Sequence, residues 1–203
     1  MSRKVFDLLT STGGAVIVVV LLIAGGFLTW GHSFVNSNVH DQLAQQQIYF
    51  PPKAAFDHPK AGTEITPSMI PSVSQYAGQQ LLTGQQAKVW ADDFIKVHLS
   101  EMPYGGIYSK ASAAALKDPK NTQLQNTVNT IFKGTTLRAM LLNAYAFSMI
   151  GTIMLYGAIA SFVLAAIMAV LVGLGFWHAA RTPQEEEFLT QKPASAPKPI
   201  PAA

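Results

Sequence analysis

The chain has 203 residues, 14 Lys+Arg against 11 Asp+Glu, only 12% charged residues and no Cys. A charged share about half that of an ordinary soluble domain excludes disorder throughout, which requires low hydrophobicity and high charge. The absence of Cys excludes a disulfide scaffold, a thiolate metal site and a Cys nucleophile, and a scattered net charge of +3 argues against nucleic acid as a partner.

From Leu8 to Gly31 the chain carries 24 residues without a charge. As a helix this stretch covers about 36 Å, enough to cross a hydrocarbon core of about 30 Å. Its centre, Ala15 to Ala24, is dense in Val, Leu and Ile, and Trp30 closes it where an indole suits the headgroup level. A cleaved signal peptide is the rival reading. It needs a small-x-small cleavage site, and the run ends instead in Phe27-Leu28-Thr29-Trp30. The pattern therefore predicts an uncleaved anchor helix over residues 8–31, after a cytoplasmic segment 1–7.

Residues 32–138 read as a mainly α extracytoplasmic domain. His32 to Phe50 is polar and Gln-rich and could continue the first helix as a stalk ending at Pro51-Pro52. Residues 51 to 71 hold Pro51, Pro52, Pro59, Pro67 and Pro71, so this stretch should be extended or irregular. Thr83-Gly84 opens a helix in which Trp90, Phe94 and Val97 recur at helical spacing, with Ala87 and Ala91 on the same side. Lys88, Asp92, Asp93 and Lys96 take the other side, and the Asp92-Asp93 pair reads most simply as a solvated face. Pro103 and Gly105-Gly106 end this helix. Ser109 to Leu116 suggests a short helix and Asn121 to Phe132 another, with Gly134 as its stop and Thr135 or Thr136 capping the next.

From Ala139 to Ala180 there are 42 residues without Asp, Glu, Lys or Arg. One helix of that length is about 63 Å, near twice the hydrocarbon thickness. Two spans would need a turn near Tyr156 to Ser161, which has no Pro, Asn or charge to make one. Asn143, Tyr145, Ser148 and Thr152 gather at the front. The reading is a membrane-proximal helical extension over 139–152 and a second span over 153–180, with its apolar body at Ile153 to Trp177. Arg181-Thr182-Pro183 stops the helix, and residues 181–203 read as a disordered Pro/Ala-rich cytoplasmic tail with an acidic run at Glu185 to Glu187.

Arg3 and Lys4 before the first span, and Arg181 and Lys192 after the second, place both ends of the chain in the cytoplasm. Arg138, close to the second span, works slightly against this. The expected localisation is the cell (inner) membrane, multi-pass.

Along the second span Gly157, Ser161, Ala165, Ala169 and Gly173 recur every four residues, a stripe of small side chains that would let another backbone approach closely. The occupant is either a partner helix or the chain's own first span, whose Gly13, Gly14, Gly25 and Gly26 are also small. The expected partners are the bilayer and a membrane protein or second copy through this helix. Neither span body holds an ionisable residue, which argues against a pump or channel acting alone and leaves an accessory subunit of one open.

His98 and Glu101 sit three apart on one helix, but a metal needs three or four ligands. His40-Asp41 and Asp57-His58 could complete such a site only through the fold, while His32 and the other histidines read as exposed or cap-forming. His178 beside Trp177 and Arg181 reads as an interfacial anchor. There is no phosphate loop and no G-x-S-x-G elbow, so no catalytic residue, cofactor or metal site is assigned.

The segments MSRKVFDLLTSTGGAVIVVVLLIAGG, NSNVHDQLAQQQIYFPPKAAF and PYGGIYSKASAAAL resemble a family of uncharacterised actinobacterial two-span membrane proteins. The resemblance covers most of the chain except the Pro/Ala tail and implies an envelope protein of an actinobacterium-like cell. Members sometimes carry the label aromatic ring-opening dioxygenase. A non-haem iron oxygenase needs two His and a carboxylate at open metal positions, and no such triad is fixed here, so the label is not carried over. The function expected is an accessory or scaffold subunit of a larger envelope or respiratory membrane complex. The alternatives are ligand or lipid sensing by the external domain, relayed to the tail, and a metal-dependent enzyme built on His98, Glu101 and another His.

Overall fold

The computed structural model describes residues 3–59 and 64–181 and is mainly helical, with no strand among them. The predicted tail beyond Arg181 lies outside the described residues. Two long helices dominate, α1 (Arg3–Gln45) and α6 (Thr122–Arg181). Both are long and apolar enough to cross a membrane. Between them come α2 (Ile70–Val73), α3 (Gly84–Val89), α4 (Lys96–Glu101) and α5 (Tyr108–Lys117), with short 3₁₀ turns. The chain divides into two compact units. One joins the residues before Leu28 to those after Tyr156; the other is Leu28–Tyr156.

The second unit has an ordinary hydrophobic core. Phe50, Met69, Val73 and Leu81 are fully enclosed, and Trp90 and Leu141 pack with them. The Phe50 ring meets Trp90 edge-on at 5.0 Å and Tyr76 at 5.1 Å, favourable arrangements for aromatic quadrupoles. The chain reaches this core through a short antiparallel pairing in which Phe50 N–H donates to Gln79 O and Leu81 N–H to Ile48 O.

Thr83 starts α3 through a reciprocal cap. Its hydroxyl accepts from Gln86 N–H at 3.2 Å, and the Gln86 side-chain oxygen accepts from Thr83 N–H at 3.0 Å. Gly84 is required next to it, because a Cβ there would collide with Ser148 and come within 3.2 Å of the Tyr145 Cα. Past Val89 the helix widens. From Trp90 to Ile95 it adopts π-type bonding, with Lys96 N–H donating to Ala91 O, before α4 resumes the α-helical pattern.

Three expectations change. The Pro-rich stretch is not wholly irregular, since Pro67 and Pro71 sit in the first turns of short helical segments, where a missing N–H costs nothing. Gly134 does not stop a helix, and neither Thr135 nor Thr136 caps one: α6 runs unbroken from Thr122. A mid-helix Gly costs about 1 kcal/mol relative to Ala. Here the absent side chain makes room for Leu99, whose Cδ2 would lie 2.8 Å from a Cβ at 134. The true start of α6 is capped by Asn121, whose Oδ1 accepts from Leu124 N–H. The third change, at Asp92, belongs to the site.

Candidate functional site

In the first unit α1 and α6 pair antiparallel. Asp7 meets His178, Ser11 meets Gly175, Gly14 meets Val172 and Gly25 meets Phe162. The buried positions of α6 are Ala158, Ala165 and Ala179, each 2% exposed, with half-buried Val172 completing a seven-residue interval. On α1 the matching positions are Ser11, Gly14 and Gly25. A seven-residue repeat is the seam of two helices wound slightly about each other. The seam is tight: a Cβ on Gly14 would lie 2.7 Å from Val172 Cγ2.

The four-residue stripe follows a different course from this seam. Each step of four advances about 40° beyond a full turn, so Gly157 and Gly173 lie about 160° apart around α6. The structure puts Ala165 in the seam and leaves Gly157 and Ser161 half-buried. Ala169 and Gly173 are exposed, and nothing lies within 4 Å of a Cβ built on Gly173. The stripe therefore does not pack on α1 as a whole.

In the second unit the same two helices continue to touch. His32 Nδ1 lies 2.8 Å from Gly151 O, and Met154 packs against Gly31. Further along they part to form a cleft of about 380 Å³. Phe34, Val35, Met140 and Phe147 give it apolar walls, and Asn38, Gln42 and Asn143 add neutral amides. A volume of this size with few polar groups matches the lower end of small-ligand sites.

The polar front of the uncharged stretch has a structural use that the sequence did not reveal. Tyr145 and Ser148 receive the start of α3, and Leu141, 2% exposed, enters the core. Residues 138 to 148 thus carry the helical cap on one side of α6. Arg138 anchors it. Its Nη2 donates to Asp92 Oδ1 at 2.6 Å, while Lys88 Nζ donates to Asp92 Oδ2 at 3.0 Å. Asp92 is accordingly not part of a solvated face. Burial pushes its carboxyl up, but the hydrogen bonds and charges of Lys88 and Arg138 outweigh that and hold it below its ordinary 3.8. The same pairing raises Lys88 above its ordinary value. Sequence reasoning missed this contact because the partners are 46 positions apart.

The histidines stay separate. His98 Nδ1 bonds to Phe94 O at 2.9 Å with its ring tilted against the Phe94 ring, and His40 Nδ1 bonds to the neighbouring Asp41 carboxylate. Among the described residues no three His, Asp or Glu side chains converge as a metal would require. Among the described residues the pair of His98 and Glu101 gains no third ligand. His178, expected as a simple interfacial anchor, lies 3.1 Å from Asp7 Oδ2.

Fold and site together define a mainly helical protein with two helices suited to crossing a membrane. No protein family, curated protein or solved structure matches the chain.

Proposed function

We propose that the chain is a two-span integral membrane protein with both ends in the cytoplasm, acting as an accessory or scaffold subunit of a larger envelope or respiratory membrane complex. One observation carries this reading. In the first unit the buried positions of α1 and α6 are small, while large apolar side chains face outward: Val20, Phe27, Val170 and Leu171 are each more than half exposed. In the most apolar eighteen residues of each helix only 17% and 6% are buried. Water would penalise that surface at roughly 25 cal/mol per Å², whereas lipid or neighbouring membrane helices would not. The resemblance to actinobacterial two-span proteins supports an envelope setting.

The test starts from native membranes in mild detergent. The tagged chain should co-purify at constant ratio with a fixed set of membrane subunits, and Ala169→Leu with Gly173→Leu should weaken that association. Both sites lie outside the α1 seam, so the chain itself should stay intact. Recovery of the chain alone would overturn the scaffold reading.

A second reading, ligand or lipid binding by the external domain, is favoured by the cleft at Phe34, Asn38, Met140 and Asn143. Filling it with Ala144→Phe should abolish binding of a photoactivatable lipid there. Undiminished labelling would remove this alternative. The metal-dependent enzyme has the weakest support, because His98 and Glu101 stand without a third ligand among the described residues.

A further inference from the structure

We propose that the end of the helix pair formed by Lys4 to Ser11 and Gly175 to Arg181 binds an anionic phospholipid of the bilayer. The proposal rests on the membrane reading above. A cavity of about 540 Å³ opens here between the helices of the first unit. Gly14 and Gly175 line it where the helices meet closely, and Met168, Leu171 and Val172 form an apolar wall. Asp7, Thr10, Ser11 and His178 line its polar part.

The chemistry is layered along the helix pair. Outermost are two cations, Lys4 one turn before Asp7 on α1 and Arg181 one turn after His178 on α6. Arg181 is held over the Trp177 ring at 4.2 Å, which fixes a guanidinium beside an indole suited to the headgroup level. Next comes Asp7, whose carboxylate is engaged by His178 at 3.1 Å. Neither Lys4 nor Arg181 has an acidic partner among the described residues. Among the described residues positive charge is therefore in surplus at this end.

Then come the hydroxyls. Thr10 donates to Phe6 O at 3.0 Å and keeps its lone pairs. Ser11 is only 6% exposed and lines the cavity, yet its hydroxyl has no hydrogen-bond partner among the described residues. Opening on the cavity, that hydroxyl is placed to donate to an oxygen of a bound molecule. Beyond it the lining is apolar. A phospholipid has the same order of groups: phosphate, ester oxygens, hydrocarbon chain. Basic pockets between membrane helices on the cytoplasmic side suit anionic headgroups.

The experiment uses the full chain purified in an uncharged detergent, with native mass spectrometry as readout. Phosphatidylglycerol, phosphatidylcholine and phosphatidylethanolamine are offered at equal concentration, with inorganic phosphate in a separate arm. The wild-type chain should retain phosphatidylglycerol about tenfold more than phosphatidylcholine, as two nearby cations allow. The Lys4→Gln, Arg181→Gln double variant should lose that preference. Thr10→Phe, which fills the cavity from its exposed edge, should reduce retention of every lipid. Equal retention of phosphatidylglycerol and phosphatidylcholine by the wild type would overturn the proposal, as would an unchanged preference in the double variant. A preference for phosphatidylethanolamine would place an amine on Asp7 and overturn it too. Displacement of phosphatidylglycerol by inorganic phosphate at similar concentration would assign the site to a free anion. Extraction of native membranes at alkaline pH separates the two ideas. Release of the chain into the supernatant fails the membrane reading, whereas a retained chain without lipid preference fails only this site.

Discussion

The two units of this protein bury opposite things. Leu28–Tyr156 encloses Phe50, Met69 and Leu81, as a domain surrounded by water does. The other unit encloses Ala158, Ala165, Ala179 and Gly25 while Val20, Phe27 and Leu171 face out. Packing of large apolar side chains away from water stabilises the first arrangement. Close backbone approach stabilises the second in the proposed bilayer setting, whose hydrocarbon is as apolar as the side chains. The same residue type therefore means different things in the two units. Leu81 in one is a core residue, and Leu171 in the other is a surface residue.

Substitutions can break this contrast, and the largest effect should come from the enclosed aromatics. Phe50→Ala is expected to cost about 3–5 kcal/mol, measured by denaturant unfolding of the full chain in micelles with Trp90 fluorescence as probe. The counterpart Leu164→Ala, at a side chain 51% exposed on α6, should change stability by less than about 0.5 kcal/mol. Equal costs would mean that the two units share one solvent.

Overpacking the seam comes next. Gly175→Leu would force a side chain onto Ser11 and should cost about 1–3 kcal/mol of helix pairing. Gly173→Leu, two positions away with open space around it, should leave pairing unchanged. The chain has no native Cys, so crosslinking between Cys placed at Asp7 and His178, whose side chains meet at 3.1 Å, reads pairing directly. Similar loss of crosslinking in both variants would refute the seven-residue seam.

The clamp of the helical cap is third. Asp92→Ala leaves Arg138 without its partner, and the Arg138 Nε is already buried without a hydrogen bond. About 1–3 kcal/mol should be lost. The pH dependence follows from the direction of the shift. Because the folded carboxyl sits below its ordinary 3.8, its contribution is fully present above that value and is lost as pH falls through the lower folded value. Wild-type stability should fall in that acid window more steeply than that of Asp92→Asn, read by amide hydrogen exchange in α3. Parallel profiles would remove Asp92 from the clamp.

The smallest effect is the cap itself. Thr83→Ala should cost about 1 kcal/mol and raise exchange in the first turn of α3, with Thr83→Ser restoring protection.

Much of the helical content was legible in the residues. Thr83-Gly84 marked the opening of α3, though not the part Gln86 plays in its cap, and Tyr108–Lys117 extends the short helix expected over 109–116 by one residue at each end. Gly134 misled because local preference favours a stop there, while the contact that overrides it comes from Leu99 in another helix. The small-residue stripe is divided between the seam and the outer side of α6 for a geometric reason. Recurrence at four looks like a face in a list of residues but drifts steadily around a helix of 3.6 residues per turn. The seven-residue spacing of Ala158, Ala165, Val172 and Ala179 was present in the same letters, yet only the facing Ser11, Gly14 and Gly25 show which repeat is used.

The sequence by itself determined the mainly helical class and the two long apolar segments, because backbone bonding within a helix and apolar run length are local properties. Only the tertiary structure decided that residues 138 to 148 carry the cap, that Asp92 is bound by Arg138, and that small residues line a seam along one side of α6. Those depend on which distant groups meet, and complementary shape and charge across tens of positions leave no periodic mark in the chain.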